Sequence, residues 1–236
     1  MKASSIPHII HYCWFGGKPL PASVRKYIAS WRKFFPGWEI KEWNEGNFDV
    51  NSIPYTAEAY KAGKFAFVSD YARFWILYNY GGLYFDTDVE VIKSMTDIVD
   101  AGAFMGREKT SAVAPGLGIG APAGHPFYKE MLDLYAGLAF SPEENIVVIT
   151  TKKLEEHGLT ESASVQQCAG MTIYPVDFFC PIDYDTRKLN ITDSTRTIHH
   201  YAESWLPWRT RAINALGRTF PGVVRLCVKI KKTIKR

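Results

Sequence analysis

No uninterrupted apolar stretch in the 236-residue sequence approaches the roughly 18–20 residues that a bilayer-spanning helix needs, so no transmembrane segment is predicted. The opening Met1-Lys2-Ala3-Ser4-Ser5-Ile6-Pro7 lacks the apolar run and cleavage site of a secretory signal, and residence on the cytoplasmic side is the expectation that follows. Cysteine is scarce. Cys13, Cys168, Cys180 and Cys227 are widely spread with no C-x-x-C pair, which argues against a zinc knuckle and a disulfide framework. They read as reduced packing residues. Asp and Glu are missing from 207–236, where nine of the 28 Lys and Arg lie. The remainder is therefore mildly acidic, and no nucleic-acid partner is expected, because the basic charge is confined to one end.

What is abundant is apolar and aromatic. Hydrophobic residues make up 47% of the chain and charged ones 22%, which excludes wholesale disorder. Seven Trp, 13 Tyr and 14 Phe suffice for a large core and a lined cleft. Ile6–Trp14 reads as a buried strand closed by Phe15-Gly16-Gly17, and Trp38–Trp43 as a second strand. Pro21–Phe35 between them reads as a helix stopped by Pro36-Gly37. Strand, helix, strand with short loops opens an α/β layer fold. Phe67, Tyr71, Phe74 and Tyr78 predict a helix over Phe65–Tyr80 ended by Gly81-Gly82, followed by the short strand Leu83-Tyr84-Phe85. Extended stretches are predicted near 89–92, 103–106, 117–121, 171–175 and 196–201, and helices over 126–139 and 143–157. Gly116, Gly118 and Gly120 allow close backbone approach. With no internal repeat or linker, the division expected is one domain over 1–206 and a tail over 207–236.

Chemistry concentrates after the Leu83–Phe85 strand, at Asp86-Thr87-Asp88. Two like charges about 4 Å apart at an effective dielectric near 20 repel by roughly 4 kcal/mol. A divalent cation relieves that repulsion, and hard oxygen ligands suit Mg²⁺ or Mn²⁺, held by one or two carboxylates plus substrate phosphates. A nucleotide diphosphate is the natural third party, and a solvated acidic turn is the plain alternative. Asp70 and Arg73, three apart, share a helix face, so an Arg for a diphosphate and an Asp for sugar or ribose hydroxyls can act at one locus; an intrahelical ion pair is the alternative. Trp14 ends the first strand where it can stack on a base or fill the core. His199 and His200 end a late strand, where successive side chains point to opposite faces, so one of them can reach a given site. His199 is preferred slightly.

These stretches resemble glycosyltransferase family 32, the D-x-D sugar transferases that include bacterial capsule and exopolysaccharide enzymes, yeast initiating mannosyltransferases and, distantly, glucosylating clostridial toxins. The likeness is carried by residues 6–17, 66–89 and 197–205 (T-I-H-H-Y-A-E-S-W). It implies a GT-A type α/β/α sandwich, Rossmann-like with a mixed central sheet, that binds a nucleotide-sugar donor. By resemblance, Trp14 stacks on the base, Asp70 accepts from ribose or sugar hydroxyls, Arg73 contacts diphosphate and donor sugar, and Tyr84 lies beside the donor. Asp86 and Asp88 form the metal- and sugar-binding pair, with Asp88 the firmer ligand. Ser204 and Trp205 contact the diphosphate; that His199 or His200 offers an imidazole to the metal, or a donor to the diphosphate, is read from the residues and not from the likeness. The implied reaction is metal-dependent hexosyl transfer with retention, from a UDP-sugar in preference to a GDP-sugar, to a glycan or lipid-linked acceptor in surface polysaccharide assembly.

On a helix, Val223, Cys227, Ile230 and Ile234 of the tail form an apolar stripe opposite Arg225, Lys229, Lys232 and Arg236. That pattern fits an interfacial helix on anionic lipid, so a peripheral position at the inner membrane face is expected. Two other readings compete. A haloacid-dehalogenase-like phosphohydrolase also sets D-x-D after a strand, but near its start and with a later Lys and acidic cluster, for which Asp183 and Asp185 substitute poorly. A non-catalytic membrane-surface or nucleic-acid-binding module leaves Asp70, Arg73, Asp86 and Asp88 unexplained.

Overall fold

A computed structural model describes residues 5–143, 145–184 and 186–202. In chain order the elements are β1 (Ile9–Cys13), α1 (Ala22–Phe34), β2 (Glu39–Trp43), α2 (Pro54–Lys61), α3 (Phe65–Tyr80) and β3 (Gly82–Tyr84). Next come β4 (Val89–Val91), α4 (Thr96–Asp100), β5 (Phe104–Lys109), β6 (Ala112–Val113), β7 (Ile119–Ala121) and α5 (Pro126–Gly137). The series ends with α6 (Ile146–Glu155), β8 (Gln166–Cys168), β9 (Met171–Tyr174), α7 (Val176–Phe179) and β10 (Thr197–His199).

The main sheet runs β2-β1-β3-β7-β5-β9-β8, with β6 paired to β5. β1 is parallel to β2 and β3, β5 is parallel to β9, and β7 runs antiparallel between β3 and β5. The sheet is therefore mixed, as expected, and the carboxyl ends of β1, β3 and β5 open on one side. In open α/β sheets that side is where ligands bind. One core cluster packs α2, α3, α5 and α6 against a sheet face; a second packs α1, α4, α7 and β4 on the other. This is the α/β/α arrangement.

α3 is buried on nearly every side: Val68, Ala72, Ile76 and Leu77 lie as deep as Phe67, Tyr71 and Phe74. A helix apolar all round belongs in the middle of a fold. It ends as the glycines dictate. Gly82 has φ +98°, and a Cβ there would stand 2.6 Å from the Ile9 carbonyl oxygen, so only glycine lets β3 dock on β1. On the opposite face α1 buries Val24, Ile28 and Trp31. The Trp31 indole donates to the Val89 carbonyl at 2.9 Å, and Ser30 Oγ accepts from Val91 N at 3.0 Å. α1 thereby fixes β4, the strand that follows Asp88.

The predicted elements stand with ends shifted by a few residues. The helix expected from 143 starts at Ile146 because Asn145 caps it, Oδ1 accepting from Val147 N at 2.8 Å. α2, α4, β6, β8 and α7 were not anticipated. They are two to eight residues long, too short to display a period. Cys13, Cys168 and Cys180 are free and buried, as expected; Cys227 and the tail lie outside the described residues.

Candidate active site

The first acid of the pair is held from three directions. Asp86 N donates to the Gly116 carbonyl at 3.1 Å. Tyr84 donates its hydroxyl to Asp86 Oδ1 at 3.2 Å, and Arg73 reaches both carboxylate oxygens, at 3.3 and 3.4 Å. Arg73 also pairs with Asp70 at 2.9 Å and donates from Nε to the Ser69 carbonyl. The helix-face pair seen in the sequence thus forms and extends to the D-x-D. Its guanidinium lies 5.0 Å over the Tyr84 ring and is 3% exposed. Burial opposes the charge on Arg73, but Asp86, then Tyr84 and Asp70, raise its pKa overall. Asp70 stands differently: burial pushes its carboxyl up to about 7, with Arg73 pulling it down and Asp86 adding to the rise. Arg73 is shared between the two carboxylates, Asp70 at 2.9 Å and Asp86 at 3.3 Å. Burial also raises the Tyr84 phenol well above its ordinary range, so it stays a donor.

Gly116 completes the cradle. A Cβ built there would fall 1.9 Å from Asp86 Oδ2 and 3.3 Å from an Arg73 terminal nitrogen. The sequence marked the 116/118/120 glycines for close approach without saying to what; the answer at 116 is the acid itself.

The second acid has its own cation. β10 pairs antiparallel with β4, setting His199 opposite Val89, and His200 N continues the ladder to the Asp88 carbonyl at 3.0 Å. His199 Nε2 comes 3.1 Å from Asp88 Oδ1, while Asp88 Oδ2 accepts from Ala202 N at 2.8 Å. Burial pushes Asp88 up, but the His199 charge and hydrogen bond, with the Ala202 N–H, bring it down to about 2. Burial pushes His199 down and Asp88 more than reverses this, to about 10. His200 points the other way, pairing with Glu90 at 2.8 Å and stacking on Tyr27. Alternation along the strand separates the two histidines, and His199 is the one set against Asp88.

Of the remaining expected residues, Trp14 is half-buried just past β1, its indole donating to the Lys18 carbonyl at 2.5 Å. Tyr84 is buried beneath Arg73 and serves Asp86 from below. Ser204 and Trp205 lie outside the described residues. The repulsion argued for Asp86 and Asp88 is answered by the chain itself, since Arg73 neutralises one and His199 the other. Among the described residues no group of three or more His, Cys, Asp or Glu converges to hold a metal ion. The oxygen chemistry still fits one side of an Mg²⁺ or Mn²⁺ shell: a carboxylate kept ionised at Asp88 and Asp86 two residues away, with substrate phosphates supplying further oxygens; His199, expected as a possible ligand, is instead held protonated by Asp88 and offers that ion no lone pair. No helix among the described residues is long and apolar enough to cross a membrane.

Residues 21–105 match the family described as "Glycosyltransferase sugar-binding region containing DXD motif". The chain is 27% identical over 217 residues to the uncharacterized glycosyltransferase L373 of Acanthamoeba polyphaga mimivirus, covering 86% of this chain and 84% of that one. It is 25% identical over 144 residues to inositol phosphoceramide mannosyltransferase 3 of Schizosaccharomyces pombe, spanning 59% of this chain but only 40% of the yeast protein. In fold it is similar to the PaToxG glycosyltransferase, with a TM-score of 0.53 and 19% identity over 66% of this chain and 71% of that one. With its D-x-D at the carboxyl end of β3, the chain carries the DXD sugar-binding region of glycosyltransferases in a mixed α/β/α sandwich of the GT-A kind.

Proposed function

We propose that this glycosyltransferase moves a hexose from a nucleotide-diphosphate sugar, a UDP-sugar first, to a glycan or lipid-linked acceptor with retention, dependent on Mn²⁺ or Mg²⁺. The observation that carries the reading is the pairing of each D-x-D acid with its own cationic partner at one end of the sheet. Asp86 is clamped by Arg73 and Tyr84, and Asp88 is kept ionised beside His199. When bound there, the cation would offset charge growing on the leaving diphosphate. The protein's part is positioning and electrostatics. Trp14 stacks on the base, Asp70 and Asp86 take ribose and sugar hydroxyls, and Arg73, already polarised by Asp86, adds positive potential at the leaving group. No side chain is assigned as nucleophile. The acceptor oxygen attacks the anomeric carbon from the face the diphosphate leaves; the carbon–phosphate-oxygen bond breaks and the departing phosphate takes the acceptor's proton. Trapping a sugar–protein adduct during turnover would refute this.

The yeast relative's printed name, an inositol phosphoceramide mannosyltransferase, supports a lipid-borne acceptor and keeps a mannosyl donor in view. A peripheral position at the inner membrane face, through the basic 207–236 tail, belongs to the same proposal. The test is a thermal-shift and turnover screen of UDP- and GDP-sugars with and without Mn²⁺, with the product anomer read by NMR. Metal-dependent stabilisation by one nucleotide sugar and a retained anomer are expected. Phosphatase activity abolished by Asp86→Asn, with no sugar transfer, would favour the phosphohydrolase reading instead.

A further inference from the structure

The D-x-D pair leaves a third carboxylate at the same end of the sheet unaccounted for. Glu108 is the penultimate residue of β5, which runs parallel to β3, so it lies on the side where Asp86 sits. Alternation along β5 is regular as far as Arg107. Phe104 stacks on Phe179 at 5.8 Å, and a Cβ on Gly106 would meet the same ring at 2.4 Å. Met105 and Arg107 turn to the other face, where Arg107 binds Gln166 and the Thr160 carbonyl. The pairing with β6 shifts register between Arg107 and Lys109, so Glu108 sits at a bulge near the carboxyl end of β5. There it lies within electrostatic reach of His199 and Tyr201, and the Tyr201 hydroxyl stands 2.8 Å from Cys180 Sγ.

Glu108 is half-buried, yet it takes part in no hydrogen bond or ion pair among the described residues. The cations on this side have other partners: His199 pairs with Asp88, and Arg187 lies over the Tyr201 and Tyr184 rings at 5.0 and 5.3 Å. Lys109, its neighbour in the chain, is exposed and acts on Glu108 through its charge without forming an ion pair with it. A carboxylate partly withdrawn from water without a partner costs free energy, and a ligand that donates hydrogen bonds to it would offset that cost. β5 lies two strand spacings from β3, about 10 Å across the sheet. An anionic diphosphate is repelled by such a group, whereas the hydroxyls of a neutral sugar suit it.

We propose that Glu108 binds hydroxyl groups of an uncharged glycan acceptor beside the donor held by Asp86 and Asp88. The proposal rests on the glycosyltransferase reading of the D-x-D end as the donor side. Its test combines calorimetry of UDP with Mn²⁺ and donor turnover in the presence of two panels, neutral octyl hexosides and octyl glycosides carrying a phosphate or uronate, on wild type and Glu108→Gln. At least one neutral glycoside should stimulate wild-type turnover, and Glu108→Gln should lose that stimulation at least tenfold, mainly in KM for the glycoside. Its UDP affinity should stay within twofold of wild type. Glu108→Asp, which keeps the charge, should recover part of the loss. The proposal is overturned by equal stimulation of both proteins, by stimulation only from charged glycosides, by none from any neutral one, or by a parallel fall in UDP affinity. Failure of wild type to bind UDP or GDP at all would strike the donor reading itself, a result distinct from each of these.

Discussion

Gly116 is the residue whose role the geometry defines most sharply. Its backbone carbonyl accepts from Asp86 N while its missing side chain leaves room for the Asp86 carboxylate. Gly116→Ala has no left-handed backbone to strain, so its effect falls on the acid: the methyl group must displace Oδ2 and with it the Arg73 contact. A misplacement near 1 Å at a reacting centre costs about 10²-fold. Transfer should fall by about that factor while the thermal midpoint stays near wild type, as activity assays beside circular-dichroism melts would show. Asp70 carries a second prediction at this scale. Its folded pKa is raised, mainly by burial, to about 7, against 3.8 for the free group. The folded state therefore holds the proton more tightly, and the ionised form destabilises the fold increasingly as pH rises from about 4 through 7. Asp70→Asn should raise the melting midpoint at pH 8, with the gain vanishing near pH 4, and should lower activity. A constant gain across that range would remove the buried acid from the explanation.

At the scale of elements, the β1–β2–α3 junction depends on a buried histidine. His11 Nε2 donates to the Gly81 carbonyl at 2.9 Å, and the Trp43 indole donates to Nδ1 at 3.1 Å, which requires the neutral ring. Burial drives its pKa to about 4, against the Gly81 hydrogen bond, with Lys41 adding slightly. Here the unfolded chain takes up the proton first, so stability is complete above pH 6.5 and is lost as pH falls through about 4. At about 1.36 kcal/mol per unit the loss reaches about 3 kcal/mol. Asp70 slopes the opposite way in this window, so the clean measurement is a difference. The stability advantage of wild type over His11→Gln in urea melts should narrow by that amount between pH 7.5 and 4. A gap independent of pH would contradict the neutral, buried ring.

Elements were legible in the sequence where they were long or sharply ended. α3 could be read to its terminal residues, because apolar spacing and Gly81-Gly82 coincide. The Asp70–Arg73 face and the D-x-D could be read with it, since both rest on local spacing. The pairing of Asp88 with His199 could not, because it depends on β10 reaching β4 across more than a hundred residues. The same holds for Gly116 against Asp86 and for Glu108, whose position emerges only once β5 is placed two strands from β3. α2 and α7 were invisible for a simpler reason, their shortness.

At the scale of the whole molecule, the sheet gathers the ends of β1, β3 and β5 into one working edge, with cores on both faces to hold it rigid. The basic tail is proposed to bring that edge to anionic lipid. Removing 221–236 should release the protein from anionic vesicles in co-sedimentation while donor hydrolysis persists; unchanged vesicle binding would end that part of the proposal. The central claim is that Asp88, held ionised beside His199, anchors a cation that in turn holds the donor's diphosphate. Titration calorimetry of UDP into wild type and Asp88→Asn, each with and without Mn²⁺, tests it most directly. Wild type should bind UDP with Mn²⁺ at least tenfold more tightly than without, and Asp88→Asn should lose that gain while remaining folded. Binding that ignores the metal, or that survives in Asp88→Asn, would contradict it.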